Sequence, residues 1–167
     1  MQVEIMAAQK GNILIVDDNK SIISALEILL STEFGEITGI TNPNLIPSEL
    51  KKKDYDLVLL DMNFSAGVNT GNEGIFWLTR VKETWPEISV IMITAFGDVE
   101  TAVKALKAGA SDFVLKPWDN EKLIATINLA LELSFSRKEI RQLKEREAEL
   151  KKEINREQRH IIGSSPQ

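Results

Sequence analysis

The 167-residue sequence has no cysteine, which excludes disulfides, thiolate nucleophiles and cysteine-ligated zinc. Its one histidine, His160, excludes a multi-histidine metal centre. No apolar run approaches the ~18–20 residues that a membrane span needs. Met1 to Lys10 offers no basic flank leading into an apolar stretch. No signal peptide is therefore expected, and a cytoplasmic location is the default. Aromatic residues make up only 6% of the chain. Trp77, Trp85 and Trp118 read as packing or partly exposed surface aromatics rather than a platform for stacked bases. Positive charge is short as well: 20 basic against 25 acidic residues give a net charge of -5. That balance does not favour gripping a phosphate backbone, and direct nucleic-acid binding is not expected.

What is present is a globular composition, 43% hydrophobic and 27% charged. The length suits one domain of ordinary size plus an extra element. Charge is unevenly spread: residues 1–135 hold 11 basic and 19 acidic side chains (net -8), whereas 136–167 hold 9 and 6 (net +3). A boundary is expected near Ser134–Ser136.

The acidic part alternates strand and helix. Asn12–Val16 is a short apolar run stopped by Asp17-Asp18, after which Ile22, Ile23, Leu26, Leu29 and Leu30 recur at helical spacing. Glu36–Ile40 is a weak second strand and Asn44–Lys52 a short helix. Leu57–Leu60 is a third strand ending at Asp61, and a helix runs from about Glu73 to Thr84. Ser89–Ile93 is a fourth strand ending at Thr94. Val99, Ala102, Val103 and Leu106 mark a helix closed by Gly109, and Asp112–Leu115 is a fifth strand ending at Lys116-Pro117. Helix resumes near Asn120. The pattern is (βα)₅, an α/β chain with a parallel sheet covered on both faces.

In such open sheets the ligand site lies beyond the carboxyl ends of the strands. Asp17-Asp18, Asp61, Thr94 and Lys116 all fall there. Three carboxylates packed together persist near neutral pH only if a cation neutralises them or some become protonated. Oxygen ligands favour a hard ion, and Mg²⁺ is the natural choice. A carboxylate beside such an ion can attack phosphorus and form an acyl phosphate. Lys116 and Thr94 are the types to hold the transferred group's oxygens.

These residues, with Ala95 after Thr94 and with Phe113 ahead of Lys116-Pro117, resemble the receiver domain of two-component response regulators over about residues 11–133. The resemblance implies a doubly wound five-stranded parallel sheet of the flavodoxin or CheY-like kind. It also implies that a sensor histidine kinase phosphorylates Asp61. Asp18 would contact Mg²⁺ directly, Asp17 largely through water, and Asn63 through its backbone carbonyl. Lys116 and Thr94 would hold the phosphoryl oxygens, and the Lys116-Pro117 bond would be cis. Thr94 and Phe113 would form the switch, and the face of the fourth helix, fifth strand and fifth helix would carry the signal. Such a domain is regulatory and catalyses only its own phosphorylation and dephosphorylation.

The stretch MNFSAGVNTGNEG after Asp61 departs from the family pattern. It lacks the usual proline and is longer than common by about five residues, with Gly67, Gly71, Gly74, Asn69 and Asn72 making it turn-prone. It reads either as a tolerated surface insertion or as a loop that shapes metal affinity or partner choice. The resemblance implies that Asn63 and Phe96 flank the path of a hydrolytic water, and bulky, apolar Phe96 cannot orient one. Slow loss of the phosphoryl group is therefore expected.

Beyond Asn120 helical character continues. Leu129, Leu133, Ser136, Ile140, Leu143, Glu147, Leu150 and Ile154 fall at alternating spacings of four and three. This reads as a coiled coil, a parallel homodimer weakened at Ser136 and Glu147. The alternative is a solvated single helix laced with i,i+4 ion pairs, and the basic flank reads as solvated surface rather than a DNA-binding arm. The final "IIGSSP" resembles the opening of the ATPase domain of sigma-54-dependent transcriptional activators. The expected organisation is an N-terminal extension (1–10), a receiver domain (11–133), a coiled-coil dimerisation linker (134–160) and the start of a truncated ATPase domain (161–167), with the ATPase and DNA-binding parts absent. His160, alone beside the linker end, is expected to be inert.

Two rival readings remain open. An aspartate-nucleophile phosphatase of haloacid-dehalogenase type uses similar groups, but Asp61-Met62-Asn63 lacks that family's second aspartate and the chain lacks a cap. A non-phosphorylated pseudo-receiver is the other, against which the complete acidic set argues.

Overall fold

The computed structural model describes residues 10–62, 64, 72–95 and 98–163. Asn63, Phe96, most of the long stretch after Asp61, the first nine residues and residues 164–167 lie outside the described residues, as does the side chain of His160. The chain divides into two compact units, Met1–Ser134 and Phe135–Gln167.

The first unit runs β1 (Ile13–Val16), α1 (Lys20–Ser31), β2 (Ile37–Ile40), a 3₁₀ turn (Pro43–Leu45), α2 (Ile46–Lys52), β3 (Leu57–Asp61), α3 (Asn72–Thr84), β4 (Ser89–Ala95), α4 (Val99–Lys107) and β5 (Asp112–Lys116). It ends within α5 (Asn120–Gly163). The strands form one parallel sheet in the order β2-β1-β3-β4-β5. This is the doubly wound architecture expected, and its strand order reverses between β1 and β3.

The sheet is buried on both faces at its centre. Leu14, Val16, Val58, Leu60, Val90 and Met92 share one core with Ile46, Leu50, Leu78 and Val81 of α2 and α3. Ile13, Ile15, Leu57, Leu59, Ile91 and Ile93, on the other face by the two-residue period of a strand, are buried too. So are Ile23, Leu26 and Leu30 of α1 and Leu123, Ile127 and Leu131 of α5. The outer strands depart from this pattern: β2 is half-buried throughout and β5 half-buried after an exposed Asp112. Each has a neighbour on one side only.

Asp61, Thr94 and Lys116, which read as stops after their strands, are members of them, whereas Asp17 and Asp18 lie beyond β1. Asp61 is the last residue of β3, paired with Ile93; Thr94 pairs with Leu115 and Ala95 with Lys116. The backbone ladder continues regardless of side-chain polarity. The weakly signalled second helix is split, because Asn42 caps a 3₁₀ turn that opens on Pro43 before α2 begins. Gly109 adopts φ +112, a left-handed conformation just past α4 that suits glycine.

The second unit is helical from Phe135 to Gly163. Ile140, Leu143, Leu150 and Ile154 are all at least half exposed along it. Arg141 approaches Glu145 at 4.0 Å and Lys151 approaches Glu147 at 3.3 Å, both i,i+4 pairs. No described helix is long and apolar enough to cross a membrane.

Candidate functional site

The acidic residues are brought together by the turn that ends β1 and by the adjacent end of β3. The ladder pairs Val16 with Leu60, so continuing it by one place sets Asp17 level with Asp61. Asn19 organises that turn. Its backbone N–H donates to Asp17 Oδ1 at 2.9 Å, and its own Oδ1 accepts from Ser21 N at 2.9 Å, capping α1. The residue types Ser, Thr, Asn and Asp just ahead of an apolar helix are the signal for such a cap, and Asn19 had escaped the motif reading.

Asp17, Asp18 and Asp61 each offer a carboxylate oxygen within 4.8 Å of the others'. Asp17 is fully buried and Asp61 nearly so, whereas Asp18 is exposed. Partial burial, and then the charge of Asp17, raises the Asp18 pKa above its ordinary value. Lys116, at the end of β5, reaches across the sheet. Its Nζ lies 3.2 Å from Asp17 Oδ2 and 3.2 Å from Asp61 Oδ1. Burial works against its charge, yet the Asp61 and Asp17 carboxylates outweigh that and hold its pKa above the ordinary lysine value. The Lys116-Pro117 peptide bond is cis.

Thr94 is 1% exposed, and its hydroxyl has no hydrogen-bond partner among the described residues. A buried hydroxyl left unpaired is costly and calls for an explanation. Phe113 is half-buried, packed against the core of the α2–α3 face. It also lines a cavity of about 440 Å³ between β5 and the first turns of α5, with Leu115, Trp118 and Leu123. That cavity is separate from the acidic cluster, whose residues do not line it. Trp77 and Trp85 are partly buried against the core, as expected of packing aromatics.

The donor set fits a hard divalent cation: three carboxylates close enough to repel, all oxygen. The lysine neutralises part of the charge and leaves room for a second cation. Asp17, Asp18 and Asp61 are the residues that could hold it.

The response regulator receiver domain family matches residues 13–128. The transcriptional regulatory protein ZraR of Klebsiella oxytoca is 37% identical over 127 residues, covering 75% of this chain and 27% of that protein. The chain thus spans little more than a quarter of the length of this curated relative. The N-terminal signal receiver domain of a two-component response regulator from Bacteroides fragilis superimposes with a TM-score of 0.66 at 42% identity, covering 72% of this chain and 96% of that one. NtrX from Brucella abortus, in complex with ADP, gives a TM-score of 0.72 at 31% identity over 83% of this chain and 30% of its own. Strand order, the rim of charge at the β1–β3 reversal and these likenesses agree on one assignment: the chain belongs to the receiver domain family of two-component response regulators.

Proposed function

We propose that the first unit is a phosphorylation-dependent signal receiver in which Asp61 accepts a phosphoryl group from a sensor histidine kinase. The observation that carries this reading is the Lys116 ammonium shared between Asp17 and Asp61 at 3.2 Å each. An ordinary ion pair needs one carboxylate. Two nearly buried ones and a third beside them hold an excess of negative charge, suited to a cation that in turn binds a phosphoryl group.

An oxygen of Asp61 attacks the phosphorus of a phosphohistidine; the new P–O bond forms as the P–N bond breaks, and the imidazole leaves with its electron pair. Bound Mg²⁺, held by Asp17, Asp18, Asp61 and the Asn63 carbonyl, would offset the charge of the transferring oxygens. Lys116 neutralises one of those oxygens. Thr94, whose hydroxyl is otherwise unpaired, donates to another. Movement of Thr94 toward that oxygen frees space beside Phe113, the aromatic switch, and the α4–β5–α5 face carries the change.

The signal passes to a homodimer formed through residues 134–160, and from there to the ATPase and DNA-binding parts of a sigma-54-dependent transcriptional activator. The likeness to ZraR and NtrX supports this placement, as does the exposed Ile140, Leu143, Leu150 and Ile154 seam. The receiver-family match disfavours the phosphatase reading, and the complete acidic cluster disfavours a pseudo-receiver.

Acetyl phosphate with Mg²⁺ tests the proposal by intact mass. One phosphoryl group is expected on the wild type and none on Asp61→Ala. Equal labelling of both, or none of either, overturns it.

A further inference from the structure

The connection from β3 to α3 is long, yet its two flanks touch. A Cβ built on Gly74, the third residue of α3, would lie 2.8 Å from Met62 Cα, 2.8 Å from Met62 O and 3.1 Å from Met62 C. All three atoms are backbone, so no rotamer change relieves the contact. On its other side, Met62 is tied to β4 by its N–H, which donates to Ile93 O at 2.9 Å. The peptide that follows Asp61 is therefore held between a strand and the bare Cα of a helix.

Glycine inside a helix is unfavourable relative to alanine. Gly74 is not among the glycines with positive φ, so backbone conformation does not call for it. Close approach does.

We propose that Gly74 is a positioning residue for the acidic site. Its missing side chain sets the separation between α3 and the backbone just past Asp61. It thereby fixes the Asp61 carboxylate against Asp17, Asp18 and Lys116, whatever the length of the chain between. The inference rests on Asp61 being the phosphoryl acceptor. A methyl group at position 74 would sit 2.8 Å from two backbone atoms of Met62, so Met62 and α3 must separate by about 0.6 Å or more to reach ordinary contact at 3.4 Å. Groups in a reactive site must keep their places to within ~0.5 Å.

The test compares Gly74→Ala with Gly39→Ala. The second change also creates a clash, against the side chains of Ile23 and Glu27 of α1, but on β2, a strand that supplies none of the acidic residues. Calorimetric titration with Mg²⁺ alone should show affinity weakened roughly tenfold or more in Gly74→Ala and unchanged in Gly39→Ala, the size of effect that residues supporting metal ligands have elsewhere. Labelling by acetyl phosphate should slow in the first variant only. Urea unfolding registers the stability loss common to both.

If Gly74→Ala does not fold in buffer, the titration is repeated in trimethylamine N-oxide, which favours the compact state. A chain still unfolded there makes the contact a requirement of folding and overturns the proposal. So does a folded Gly74→Ala with wild-type Mg²⁺ affinity and labelling. Failure of the wild type to be labelled would instead defeat the functional reading, leaving the Mg²⁺ titration to judge Gly74.

Discussion

Lys116 Nζ lies 3.2 Å from Asp61 Oδ1, a contact that joins the end of β5 to the end of β3 across the intervening β4. The same ammonium serves Asp17, which is fully buried. Removing the lysine leaves two enclosed carboxylates facing each other and Asp18 without that counter-charge.

Lys116→Ala should therefore lose about 2–3 kcal/mol of stability at neutral pH without divalent ions, somewhat below the cost of breaking a fully buried pair because the lysine is partly exposed. Mg²⁺ should restore part of the loss, since it supplies the missing positive charge. The lysine's folded pKa is raised, so its contribution is complete at neutral pH and fades only as pH rises through the folded value, above the ordinary lysine range. Urea titrations with and without Mg²⁺ check this. A variant as stable as the wild type without Mg²⁺ would show that the bridge adds nothing net.

The convergence of Asp17, Asp61 and Lys116 was readable in the sequence because it depends on strand order alone. Apolar runs such as ILIV and LVLL mark strands, parallel strands align their carboxyl ends, and whatever follows them meets at one rim. Relations that depend on close packing were not readable. Nothing in the letters around Gly74 tells that its Cα lies against Met62, because that distance is set by how α3 seats on the sheet. The extent of β4 was misjudged for a similar reason. Thr94 and Ala95 look like the start of a loop, but pairing with Leu115 and Lys116 keeps them in the ladder. Edge position, not composition, explains why β2 and β5 are only half-buried.

A second unforeseen feature is a buried hydroxyl pair. Ser134 is fully buried; its Oγ accepts from Ser89 N at 3.1 Å and lies 2.6 Å from Asp56 O and 2.8 Å from Ser89 Oγ. Ser89 Oγ donates to Ala130 O at 2.7 Å. The hydroxyls thus tie the start of β4, the residue before β3 and α5 together within the first unit. Ser134→Ala deletes the central group and leaves part of that polar set under-satisfied. A loss of about 1–2 kcal/mol is expected in denaturant titration, with Mg²⁺ affinity unchanged because the site lies at the opposite end of the strands. A variant of unaltered stability would mean that water replaces the hydroxyl at no cost.

Tyr55 and Glu49 form a second titrating pair away from the acidic site. The Tyr55 hydroxyl donates to Glu49 Oε1 at 2.8 Å, and both side chains are buried. That hydrogen bond, acting against burial and helped by Lys52, holds the Glu49 pKa below its ordinary value. A carboxyl with a depressed folded pKa contributes stability that is present above its unfolded pKa and is lost as pH falls through the folded one. Stability should therefore decline below the ordinary glutamate range, and Tyr55→Phe should flatten that part of the profile while costing about 1 kcal/mol at neutral pH. Thermal unfolding across acid pH measures both. An unchanged acid limb in the variant would remove the pair from the account.

The second unit presents two competing features, and one substitution separates their consequences. Its i,i+4 pairs, Arg141–Glu145 and Lys151–Glu147, could support a single helix, each by about 0.2–0.5 kcal/mol and less in salt. Its seam of Ile140, Leu143, Leu150 and Ile154 leaves large apolar side chains half in water, a state that pairing two helices would end. A few ion pairs are small against the burial of four such side chains in each of two chains, at about 25 cal/mol per Å². The dimer is therefore the expected state in solution. Leu143→Asp places a charge within the seam without touching either ion pair. Sedimentation should shift from dimer to monomer, with loss of helicity by circular dichroism, while labelling at Asp61 remains. If the wild type sediments as a monomer whose helicity falls with salt and is indifferent to Leu143→Asp, the single helix held by ion pairs is the correct description.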